Sequence, residues 1–318
     1  GGKTNIASRT IKTGGVAGQS FTGNVDYANA LLLSSGSGPI TFNSQLDSTN
    51  AANLTLTSNG VLSFQAIGSS NKVGDILITA ASNGLSGTSI NAASLKTGTG
   101  IVLIGNILIT GIQTYTSDID VDTAAGISMG NSITSNTGKI DLTSGGTTLV
   151  NALTTLNAGA GTITLSHGAT LTLLGNILSG NSFTETATQS TNIIVGSGGA
   201  SPVTITVGSG NFSIGLTNVT QLLLNNDLQV TTSGALADVT FGSVIDSAAS
   251  AAKGIAINTT GDIIFGGNIG QATNARLGAI SLSNNALSLT ATNVNIKAGS
   301  FTTGASTAVK GAIDLSGT

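Results

Sequence analysis

Residues able to do chemistry are few in this sequence, and most stand alone. Asp118, Asp120 and Asp122 alternate in SDIDVDT. On a strand, positions i, i+2 and i+4 project from one face. Three carboxylates placed this way could hold Ca²⁺, which takes about six to eight oxygen ligands. The same alternation turns Ile119 and Val121 inward and makes the aspartates a solvated outer face, and the glycine- and aspartate-rich calcium nonapeptide is absent. Glu185 is the sole glutamate, and Asp141, Asp227, Asp246 and Asp262 are scattered singly, so the paired carboxylates of sugar hydrolysis are not visible. His167, the only histidine, stands in LSHGAT beside Gly168 and is expected at a surface or corner. The GSGG at 196–199 lacks the Lys-Ser/Thr of a phosphate loop and reads as a corner. Asn53, Asn211, Asn218 and Asn258 head glycosylation sequons, which a chain this rich in Ser, Thr and Asn produces by chance. No catalytic or cofactor-binding residue is assigned, and Ca²⁺ at Asp118, Asp120 and Asp122 is the one cofactor considered.

Composition excludes several classes. Charged residues are 7 % of the 318, against roughly 25 % in ordinary domains. Net charge is −3 and 39 % of residues are hydrophobic, which is not the signature of disorder. There is no basic patch for nucleic acid. The longest apolar region, IVLIGNILITGI, is broken by Gly105, Asn106, Thr110 and Gly111, well short of the ~20 residues of a membrane-spanning helix. Cysteine is absent, which removes disulfides and thiolate chemistry. GGKTNIASRT lacks the apolar stretch of a signal peptide.

The elements that would position these residues are short strands. Apolar residues alternate with Ser, Thr and Asn in KIDL, TITL, PVTITV and AISL, between turn-forming SGSG, SNG and GSGG. A longer motif recurs: Ile40-Phe42-Leu46, Val102-Ile104-Leu108, Ile127-Met129-Ile133, Val239-Phe241-Ile245 and Ile263-Phe265-Ile269, with imperfect copies at Phe64 and at Leu174-Leu178. Spacings of its central residue fall near multiples of about 22, the range of solenoid repeats. This predicts an all-β parallel β-helix with coils of about 22 residues, roughly 14 of them, over residues 35–318. Residues 1–34 match the motif less well and are expected to form an opening segment or cap, or a strand given to a neighbour. The motif residues Ile40, Phe42, Leu46, Phe64, Ile104, Leu108, Met129, Ile133, Leu174, Leu178, Phe241, Ile245, Phe265 and Ile269 should point inward. Gly105, Gly130, Gly175, Gly242 and Gly266 should occupy corners, where positive φ suits glycine.

GPITFNSQLDSTNAANLTLTSNGVLSFQAIG resembles the strand repeats of giant bacterial surface proteins, and ITGIQTYTSDIDVDT resembles another segment of those repeats. GAGTITLSHGATLTLLG and GAISLSNNALSLTATNVNIKAG are similar to filamentous-haemagglutinin-like and autotransporter passenger repeats. The resemblance implies an extracellular, bacterial cell-surface β-solenoid without catalytic residues. The expected function is structural: a filament or sheath subunit that joins copies of itself head to tail, with no nucleic-acid partner and no membrane span. The alternatives are a passenger segment of an adhesin that attaches to a host or neighbouring cell, and a carbohydrate-active β-helix.

Overall fold

The computed structural model is an all-β parallel β-solenoid of about 12 turns, roughly 23 residues apart. It describes residues 4–7, 9–109, 112–150, 155–248, 252–271, 276–282, 286, 288–291, 294–303 and 308–310, and among these there is no helix. The chain divides into two compact units, Gly1–Gly146 and Thr147–Thr318.

In the first unit each coil lays strands on three columns, and each strand pairs in parallel with its counterpart one coil on. Gln19 stands on Ile40, Leu62, Leu85, Ile107 and Ile127 in succession. Val25 stands on Leu46 and Ile67, and Leu33 on Leu56 and Ile78. The strand Leu85–Thr97 bends through all three columns: its Leu85, Ile90 and Leu95 pair with Ile107, Gln113 and Ile119. Residues 4–7 and 9–34 carry the same ladder, since Thr4–Ile6 pairs with Val25–Tyr27.

The second unit repeats the arrangement. Leu171 stands on Ile193, Leu222, Ile245, Ile269 and Ile296. The step from Leu171 to Ile193 is 22 residues, but the next, to Leu222, is 29. The added residues form a loop that Asn226 pins, accepting from the Gly198 amide at 2.7 Å and donating to the Ser201 carbonyl at 2.6 Å. Longer coils of this kind reduce the count from the expected 14 to about 12.

Period-two alternation produces the core because successive strand residues face opposite ways. Phe183, Phe212, Phe241 and Phe265 form a column with ring centroids 5.4, 5.4 and 5.5 Å apart. Ile40, Phe42, Leu46, Phe64, Met129, Ile133, Phe241, Ile245, Phe265 and Ile269 are buried as expected. Four expected core residues are not. Ile104 is 60 % exposed, Leu108 44 % and Leu178 40 %, and Leu174 is only half-buried. Leu103, Ile107 and Ile109, and likewise Leu171, Leu173 and Ile177, point inward instead. In IVLIGNIL and LTLLGNIL adjacent residues are both apolar, so the pattern does not choose a face, and a one-residue slip reverses every side chain.

The corner glycines also differ in cause. None of Gly105, Gly130, Gly175, Gly242 and Gly266 has positive φ. At Gly105 the requirement is close stacking: a Cβ there would lie 1.8 Å from the Asn83 carbonyl oxygen. Positive φ is used elsewhere, as at Gly68 (φ 71), where a Cβ would also meet the Asn91 oxygen at 2.0 Å.

Candidate functional site

The strand Ile119–Thr123 buries Ile119, Val121 and Thr123 and turns Asp120 and Asp122 outward. The next strand sets Asp141 on Asp120 and Thr143 on Asp122. Stacked carboxylates repel across a ladder, and two lysines answer that repulsion. Lys139 Nζ lies 2.7 Å from Asp120 and 3.2 Å from Asp141, and Lys96 Nζ lies 3.0 Å from Asp118. Burial lowers the Lys139 ammonium, but the hydrogen bonds and charges of Asp120 and Asp141 outweigh it and raise it overall. Burial raises the Asp118 carboxyl, but the Lys96 hydrogen bond and the Lys139 amide outweigh it and hold it below the usual range. Burial, with Asp120 and Asp141 nearby, pushes Asp122 up. The arrangement is thus a charge-compensated outer face rather than the Ca²⁺ cage considered for Asp118, Asp120 and Asp122. Among the described residues no group of three or more acidic or imidazole side chains is placed to hold a metal.

The other acids also have structural partners. Asx side chains at coil corners accept an amide from the following coil: Asn53 from Asp75, Asn106 from Gly126 and Asp118 from Lys139 in the first unit. In the second unit Asn176, Asn211, Asp227 and Asp238 do the same for Thr204, Asp238, Gly254 and Asp262. Each strut satisfies an amide at, just before or within the first three residues of a strand. Two sequon residues, Asn53 and Asn211, are engaged in this way. Inward Ser and Thr at strand ends play the complementary part, donating to turn carbonyls: Ser35 and Ser58 to Gly38, Ser135 to Gly138, Ser179 to Ser182.

Two arrangements were not foreseen. In the first unit Asp26 stacks on Asp47, and the two are 6 % and 4 % exposed. Asp47 accepts from the Ser70 and Asn71 amides at 3.1 and 3.3 Å. Asp26 lines a depression of about 400 Å³ with Asn5, Asn29 and Thr49. In the second unit His167 is not a surface or corner residue: it is fully buried, with Nε2 2.5 Å from the equally buried Glu185. Its Nδ1 lies 2.5 Å from the Ala169 carbonyl oxygen. Both nitrogens are therefore engaged and closed off from solvent. The signal was present in the sequence: in ITLSH and FTETA, alternation places His167 with Ile163 and Leu165, and Glu185 with Phe183 and Ala187.

Burial pushes the Tyr27 and Tyr115 hydroxyls well above their ordinary range. Tyr27 donates to the Ala52 carbonyl and Tyr115 to Gln113, so each buried hydroxyl has an acceptor. The depression beside Lys96, about 280 Å³ and lined also by Asn53, Asp75 and Ser94, contains one carboxylate and one ammonium rather than a carboxylate pair. Exposed apolar side chains concentrate on one coil of the first unit, at Val102, Ile104, Leu108 and Ile112. Among the described residues no helix is long and apolar enough to cross a membrane. No known family, curated protein or solved structure matches the chain.

Proposed function

We propose that the chain is a structural, non-enzymatic subunit of an extracellular, cell-surface fibre, filament or sheath, built by copies joining head to tail. The observation that carries this reading is the ladder itself: each strand stands in parallel on its counterpart one coil on, so one coil presents to the next the same donors and acceptors that a further copy could meet. The Thr4 and Gln19 amides bond to Asn24 and Pro39 on the paired side. By strand alternation the Asn5 and Ser20 amides face the other way. A ladder of this kind can take a further parallel strand from another copy, and an association that does not close on itself makes a filament. The resemblance to bacterial surface repeats supports the location, and acids tied up as struts and ion pairs support a structural task.

Sedimentation across concentration tests the reading, with Ser20→Pro as the comparison. Proline removes the donor that Ser20 turns away from the following coil while leaving the Gln19 bond to Pro39 in place. Assembly that grows with concentration and is lost in Ser20→Pro is expected. A single concentration-independent species for the parent chain would refute it. The exposed apolar side chains of Val102, Ile104, Leu108 and Ile112 favour a second reading, an adhesin passenger segment, because such patches mark interaction surfaces.

A further inference from the structure

We propose that His167 and Glu185 form a proton-dependent latch across three coils of the second unit. The imidazole lies between two acceptors, the Ala169 carbonyl at Nδ1 and Glu185 Oε1 at Nε2, each at 2.5 Å. A carbonyl oxygen only accepts, so Nδ1 carries a hydrogen. Two arrangements then satisfy the far side. Either Nε2 carries a second hydrogen and Glu185 is ionised, or Glu185 is the protonated acid and donates to Nε2. Both contain the same number of protons. A neutral imidazole facing an ionised Glu185 fails in either tautomer, because its one hydrogen serves one acceptor and leaves a lone pair against the other.

The remaining carboxylate oxygen accepts from the Gly215 amide at 2.7 Å. The three residues sit on successive coils, since Leu165 stands on Glu185 and Phe183 on Phe212. Both side chains are 0 % exposed. Within the second unit, the strands that carry and flank the pair place only uncharged residues around it: Ile163, Thr164, Leu165 and Ser166 on one, Phe183, Thr184, Thr186 and Ala187 on the next, Phe212–Ile214 beyond. The other buried carboxylate described in this unit, Asp246, lies on Val244–Ser247 and accepts from Gln221 at 2.7 Å. The latch therefore depends on its own shared proton.

The sign follows from proton counts. In an unfolded chain a glutamate loses its proton near pH ~4.3 and an imidazole near ~6.5. Between these values the unfolded chain carries as many protons on the two groups as the latch does, and the latch is at full strength. Above about pH 6.5 the unfolded chain carries one fewer, so the closed-to-open ratio falls about tenfold per pH unit while the latch keeps its proton. Below about pH 4.3 the unfolded chain carries one more, and the ratio falls again. The second unit is fastened in mild acid and loosens toward alkali.

Glu185→Gln separates this device from simple packing. Its amide can donate to Nε2 and its carbonyl can accept from Gly215, so every hydrogen bond survives around a neutral imidazole. Hydrogen exchange of peptides covering 163–187 and 211–215, corrected for intrinsic rates, is measured from about pH 6.5 to 9. The parent chain should lose protection about tenfold per pH unit, and Glu185→Gln should not. Equal pH dependence in the two would overturn the proposal. Should the variant not fold, the ring ¹⁵N signals of the sole histidine in the parent chain decide. Signals constant across about pH 5.5–7.5 support the latch, and titration like that of a free imidazole, near pH ~6.5, overturns it.

Discussion

Phe212→Ala should cause one of the largest losses of stability that a single substitution can produce in the second unit. Phe212 is fully buried, with Phe183 at 5.4 Å on one side and Phe241 at 5.4 Å on the other. Truncating a buried Phe to Ala costs about 3–5 kcal/mol, depending on how far the site collapses. Collapse is restricted here because the coils above and below are held at ladder spacing by the pairs Phe183–Phe212 and Phe212–Val239. The expected loss is therefore toward the upper end, about 4–5 kcal/mol. Phe265, with one ring neighbour at 5.5 Å, supplies the internal comparison. Phe265→Ala should cost less by roughly one ring–ring contact, about 0.5–1.5 kcal/mol. Denaturant unfolding followed by circular dichroism gives both values, and hydrogen exchange in 183–265 localises them, since long repeats need not unfold as one unit. A Phe212→Ala cost below about 1.5 kcal/mol, or equal costs at the two sites, would refute a rigid stacked column.

Leu103→Ala should cost about 2–5 kcal/mol and Ile104→Ala less than about 0.5, by equilibrium unfolding, because the first is buried and the second 60 % exposed. Gly105→Ala should prevent close stacking on Asn83 and cost several kcal/mol, at least ~2, whereas Gly14→Ala, where a Cβ meets nothing within 4 Å, should be near neutral in thermal melts. Burial raises Tyr27 and Tyr115, so unfolded tyrosines ionise first as pH passes about 10, and stability is present below that value and lost above it. Tyrosinate absorbance should accordingly appear together with loss of β-structure rather than before it. Lys139→Met leaves Asp120 and Asp141 stacked without their shared cation; the side chains are about a third exposed, so the loss by thermal melt should stay below about 1 kcal/mol and shrink in high salt.

Legibility in the sequence followed pattern strength. Where apolar and polar residues alternate strictly, as in KIDL or VTF, the strand, its facing and its place in a coil were all readable. Where two apolar residues adjoin, as at Leu103-Ile104 and Leu173-Leu174, alternation is silent on register, and the stacking of Ile107 on Ile127 decides it. The corner glycines were found by position, but their reason lies in the contact with the coil beneath, which no local pattern reports. The outer aspartates around Asp120 are placed on the correct face, while the cations reach Asp120 and Asp118 from other coils, 22 residues away in the case of Lys96 and Asp118. LSHGAT reads locally as a turn, which puts His167 at a corner. Its strand ITLSH had already assigned it to the inward face, and the glutamate that makes its burial tolerable comes from the next coil.

Negative-stain electron microscopy across protein concentration tests head-to-tail assembly most directly. Fibres one chain wide that lengthen with concentration and disappear in Ser20→Pro are expected. Single particles of constant size at every concentration, identical in the parent chain and the variant, would contradict it.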